Sequence, residues 1–136
     1  MATTNVFLTI DTEHSIGGAF TRADVGPVGS KRTVWGRIGS RSYGIPLIID
    51  IADSYGLKST FFVEVLNKHY FGEQESREVC EYILKRGHDV QLHLHPNYLN
   101  FTLENPREKR FTDLIGKYDL EHQIRMLEEG RDTLLC

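Results

Sequence analysis

Lys58-Ser-Thr-Phe-Phe-Val-Glu64 is the stretch that decides the fold: a short, strand-like apolar run between two helical patterns. Before it lies Gly44-Ile-Pro46-Leu-Ile-Ile-Asp-Ile-Ala-Asp-Ser-Tyr-Gly56. Pro46 suits the first turn of a helix, Ile48, Ile51, Ala52 and Tyr55 share one face, and Gly56 is a natural stop. After it, Glu73 to Arg86 reads as a second helix, with Val79, Cys80, Ile83 and Leu84 turned inward and Gly87 ending it. Further out, Asn5-Val-Phe-Leu-Thr-Ile-Asp11 and Asp89-Val-Gln-Leu-His-Leu-His95 read as two more strands. Pro96, which cannot donate to a ladder, closes the later one. A last helix begins near Asp119 and runs through Leu120, Ile124 and Leu127.

The order is therefore β-α-β-α-β-loop-α. Strands alternating with helices of this length form a parallel sheet, because each crossover must return the chain to the same end. The C-terminal ends of all three strands then lie together, at the face where α/β barrels and open α/β sheets place their chemistry. One interval breaks the pattern. From Thr12 to Tyr43 no periodicity persists, and the segment is rich in glycine and carries Arg22, Lys31, Arg32, Arg37 and Arg41 against Asp24. Loops beyond about 12–15 residues are uncommon in compact domains unless functional or disordered. Two readings follow: a solvated surface excursion, or a flap that contacts substrate.

The 136 residues suit one domain, with 40% hydrophobic and 26% charged residues and a net charge of −3. No basic imbalance points to nucleic acid, no apolar run approaches a membrane span, and the first residues lack the charged and apolar regions of a secretory signal. Cys80 sits in an amphipathic helical pattern and Cys136 stands alone, so no disulfide framework emerges and a cytoplasmic setting is expected.

Two pairs at the strand ends carry the chemistry. Side chains alternate along a strand, so Asp11 and Glu13 project to one side, as do His93 and His95. Ile10, Leu92 and Leu94 point the other way, into a packed layer. Two imidazoles and a carboxylate form the ligand set of many catalytic zinc sites, and a second carboxylate nearby can act as general base. Iron or cobalt accepts the same set. Of the other histidines, His69 and His122 read as solvated or capping helix residues, and His88 as a structural hydrogen-bonding group. His14, beside Glu13 but of opposite parity, is left outside the site.

At these residues the chain resembles the polysaccharide deacetylases with a NodB homology domain, most closely the WalW-like branch. The family's first motif is a strand ending in Thr-Phe-Asp-Asp, matched here by Leu8-Thr-Ile-Asp-Thr-Glu13. Lys58-Ser-Thr-Phe-Phe-Val-Glu64 is similar to its second strand, and Arg86-Gly-His-Asp-Val-Gln-Leu-His-Leu-His95 to the stretch leading into its second motif. The resemblance implies Asp11 as catalytic base and Glu13, His93 and His95 as ligands of a divalent metal, zinc first, with cobalt or iron as alternatives. The family's second histidine usually follows the first by four residues, where this chain has Asn97, so Asn97 is the competing third ligand.

The implied fold is part of a distorted (β/α) barrel of the glycoside hydrolase and deacetylase type. Residues 1–136 then form the N-terminal part of a single NodB-like domain, truncated at the C-terminus. The family's Arg-x-Pro and Trp-bearing segments, and the Leu-x-His that supplies its catalytic acid, are not found among these residues. The implied activity is metal-dependent hydrolysis of carbon–nitrogen bonds other than peptide bonds, removing N-acetyl groups from a polysaccharide or amino sugar in carbohydrate metabolism. The competing functions are a non-catalytic metal-binding fragment and a non-haem iron oxygenase, which also uses two histidines and a carboxylate.

Overall fold

A computed structural model describes residues 4–135. Among the described residues the strands are β1 (Leu8–Thr12), β2 (Arg37–Ile38), β3 (Arg41–Ser42), β4 (Ser59–Glu64) and β5 (Asp89–His93). The α-helices among them are α1 (Ser30–Thr33), α2 (Ile45–Ser54), α3 (Lys68–Phe71), α4 (Glu73–Lys85) and α5 (Leu120–Leu135). Three 3-10 turns lie between β5 and α5.

The architecture is α/β. β1, β4 and β5 form a parallel sheet in the order β1-β4-β5, and β2 and β3 form a separate antiparallel hairpin. The apolar run that reads as the deciding strand is the central one. Ile10 pairs in register with Phe61, and Phe61 with Val90, so the three side chains share one face. On that face Phe61 and Val63 are buried against Ile45 and Ile49 of α2, Val79 and Ile83 of α4, and Val34. Phe61 is fully buried, which is worth about 1.5–3 kcal/mol relative to an exposed ring. The opposite face carries Asp11, Phe62 and Gln91 in one row and Glu64 and His93 in the next.

Helix faces depart from the sequence reading in α2 and α4, and the structure assigns the face of α5. In α2 the buried residues are Ile45, Ile49 and Ala52, whereas Ile51 and Tyr55 are exposed. The segment is apolar nearly all round, so its periodicity does not single out one stripe; the entry of the chain beside Val34 turns Ile45 inward. In α4 Val79 and Ile83 are buried and Cys80 packs on the core, but Leu84 is 57% exposed. In α5 the buried residues are Met126 and Gly130, and Leu120, Ile124 and Leu127 lie outward. A Cβ at Gly130 would stand 2.8 Å from Leu92 Cδ1 and 2.9 Å from Leu94 Cδ2. The helix therefore presents its slimmest stripe to the strand that carries the histidines.

The long interval after β1 is not a wholly solvated excursion. Ser15 and Val28 pair across it as an isolated antiparallel bridge, α1 follows, and Val34 and Trp35 pack into the core. His14 ties its start to α4: Nε2 lies 2.7 Å from Glu75 Oε2, and Nδ1 lies 2.6 Å from Asn67 Nδ2. The Ser30 N–H donates to the same Glu75 oxygen at 2.9 Å.

Candidate metal centre

Glu13 follows the last residue of β1, His93 ends β5, and His95 precedes the turn that opens at Pro96. Parallel pairing brings these two chain ends to the same end of the sheet, on either side of β4. One ligand atom from each of Glu13, His93 and His95 lies within 4.8 Å of the other two. The two Nε2 atoms stand 3.0 Å apart, and Glu13 Oε2 is 3.7 Å from His93 Nε2 and in direct contact with His95 Nε2.

Ligands bonded to a tetrahedral zinc at about 2.0–2.2 Å stand roughly 3.3–3.6 Å from one another. The observed separations bracket that spacing, so the donor set fits a divalent ion after side-chain adjustments of up to about an ångström. Beyond the three donors, Nδ1 of His95 lies 2.9 Å and 3.0 Å from the two carboxylate oxygens of Asp113. With Nδ1 as the donor to Asp113, Nε2 keeps its lone pair for an ion, an arrangement common behind metal-bound histidines. Burial opposes charge on His95, but Asp113, Glu13 and Glu64 together raise its pKa above the ordinary value.

Glu64 lies in the row beside His93 and is fully buried. The Leu66 N–H donates to its Oε1 at 2.6 Å, while Oε2 has no hydrogen-bond partner among the described residues. Burial pushes this carboxyl up to about 7, against the favourable field of His95 and backbone N–H groups of Leu66, His95 and Asn67. Close by, the buried hydroxyl of Tyr98 also lacks a hydrogen-bond partner among the described residues. Burial, followed by the charges of Glu64, Glu13 and Asp113, raises its pKa. Glu13, His95, Asp113, Asn97, Tyr98 and Thr33 help line an open concavity of about 490 Å³.

Asp11 stands apart from the three-donor group. It is exposed, pairs in register with Phe62, and makes no side-chain hydrogen bond or ion pair among the described residues. Asn97 lines the concavity, and its side-chain oxygen is buried without a hydrogen-bond partner among the described residues. His88 has the structural role expected of it, accepting from Ser59 N–H at 3.1 Å and lying 3.2 Å from Asp53 Oδ1. His122 is exposed and bonded to Asp119. His69 is mostly buried, with Nε2 2.8 Å from Glu129 Oε1 of α5, so the solvated reading does not hold for it.

Tyr98 lies in the 3-10 helix Pro96–Thr102 and Asp113 on irregular chain after it, where no periodicity marks them. Glu64 had a usable signal: it ends the central strand with the same parity as Phe62. No protein-family model, curated protein or solved structure matches this chain. Among the described residues, no helix is long and apolar enough to cross a membrane.

Proposed function

We propose that this chain is a metal-dependent hydrolase of carbon–nitrogen bonds other than peptide bonds, acting on N-acetyl groups of a polysaccharide or amino sugar. Its sheet would then be part of a distorted (β/α) barrel. The observation that carries the reading is the Glu13, His93 and His95 cluster with Asp113 behind His95, at the C-terminal end of a parallel sheet.

These three residues would hold the ion, zinc first and cobalt or iron in its place. When bound, such an ion lowers the pKa of water and polarises an amide carbonyl. Glu13 is engaged by the imidazoles, and Asp11, two residues earlier on the same side of the chain, is an exposed carboxylate without a partner among the described residues. Asp11 takes the proton of the attacking water. Asp113 holds the His95 ring in the tautomer that the ligand role needs. The remaining histidine on the concavity, His14, is already bonded on both nitrogens to Glu75 and Asn67, so it is a poor proton donor to the leaving amine. Turnover should accordingly be slow, since general-acid assistance is worth about 10²–10⁴ in rate.

The place of Asp11 outside the three-donor group favours a second reading, a metal-binding module without catalysis. Acetate release from N-acetylglucosamine oligomers decides between them, measured at high protein concentration with zinc and with chelator. The hydrolase reading expects slow, chelator-sensitive release that Asp11→Asn abolishes without loss of metal. Release that ignores both the chelator and the substitution would remove it.

A further inference from the structure

Lys31 and Arg32 of α1 and Arg37 of β2 line a second open concavity, of about 640 Å³, together with Tyr43 and Glu75. It adjoins the candidate metal centre. Thr33 lines both concavities, and the His14–Glu75 pair joins them, with His14 on the first and Glu75 on the second.

The charge in this second concavity is unbalanced. Its carboxylate, Glu75, is already committed to His14 and to the Ser30 N–H. None of Lys31, Arg32 and Arg37 forms an ion pair with an acidic residue among the described residues. Arg37 instead stands over the Trp35 ring, 5.9 Å from its centroid. Arg22, by contrast, has its own partner in Asp24 at 2.7 Å. In a chain of net charge −3, three uncompensated cations around one hollow create a local positive field. The half-exposed Tyr43 ring adds an amphipathic aromatic surface of the kind that packs on a sugar ring.

We infer that this concavity is an anion subsite, which takes a carboxylate or phosphate group carried by an acylated amino-sugar substrate. Guanidinium groups recognise both anions through paired charge-assisted hydrogen bonds. The inference rests on the hydrolase reading for what the neighbouring site does to the substrate, but anion recognition itself needs no metal.

The test is calorimetric titration of chelator-treated protein with three sugars: N-acetylglucosamine, its 6-phosphate, and N-acetylmuramic acid, which carries a carboxylate. At least one anionic sugar should bind about tenfold or more tightly than the neutral one, the gain of one good charged hydrogen bond. The preference should weaken as salt is raised. It should disappear in the Lys31→Ala/Arg32→Ala/Arg37→Ala variant, which should still take up zinc as the wild type does. If that variant fails to fold, Arg37→Gln in the exposed hairpin should reduce the preference instead. Equal binding of neutral and anionic sugars, or a preference that survives these substitutions, would overturn the assignment. Loss of zinc uptake by the wild type with the anion preference intact would remove the metal reading alone.

Discussion

The carboxylate of Asp113 meets Nδ1 of His95 at 2.9 Å and 3.0 Å, while Nε2 of the same ring faces Glu13 and His93. A loop residue 18 positions downstream thus fixes the ring of a strand-end histidine. Removing it should leave the ring free to turn. Asp113→Ala should weaken metal binding by about 10–100-fold, the usual cost of losing such a supporting group. Competition against a chromophoric chelator measures this, and an unchanged affinity would show that Asp113 does not orient His95.

Gly44 should tolerate no side chain. A Cβ there would lie 1.9 Å from the Val34 carbonyl oxygen and 2.8 Å from the Trp35 carbonyl carbon, both backbone atoms that cannot step aside. The same close approach lets the Ile45 N–H donate to Val34 O at 2.9 Å and starts α2 with Ile45 facing the core. Gly44→Ala should cost at least about 2 kcal/mol, as overpacking against rigid surroundings does. Urea unfolding at neutral pH is the check, and a cost near zero would mean that the Val34–Gly44 junction relaxes freely.

At the opposite end of the sheet, Asp53 gathers Arg86 at 2.9 Å, Lys58 at 3.3 Å and His88 at 3.2 Å. The Arg86 hydrogen bond, aided by Lys58 and His88, lowers the Asp53 pKa below the ordinary 3.8. A depressed carboxylate contributes stability that is present above its unfolded pKa and lost as pH falls through the folded one. Asp53→Asn should therefore lower the urea midpoint at pH 7, with the gap closing as pH is taken below about 3.8. A gap that stays constant over that range would show that the charge of Asp53 contributes nothing.

The three parallel strands and the shared side of Glu13, His93 and His95 were legible because strand–helix alternation implies parallel pairing and period-two alternation constrains short strands strongly. Ile10, Leu92 and Leu94 pack as their parity requires, and Glu13, His93 and His95 meet. The helices were less legible. α2 is too evenly apolar to reveal its buried stripe, and α5 buries Met126 and a glycine that no apolar pattern marks. Asp113 and Tyr98 were invisible for a different reason: they reach the site from the connection between β5 and α5, whose path depends on contacts such as Asn100 Nδ2 to Phe111 O at 2.7 Å. No local pattern encodes such a contact. His14 fell outside the site on parity alone, and its burial between Glu75 and Asn67 gives it a structural task.

Cobalt titration of the purified chain, followed by its visible absorption, tests most directly whether Glu13, His93 and His95 hold one divalent ion. One equivalent should bind with the intense bands of a four-coordinate site. Glu13→Gln, His93→Ala and His95→Ala should each weaken binding by about 100-fold or more, while Asn97→Ala changes it by no more than a few-fold, since a lost charged or imidazole ligand outweighs a neighbouring amide. Stoichiometric binding that survives His93→Ala and His95→Ala would contradict the account, as would a greater loss from Asn97→Ala than from His95→Ala.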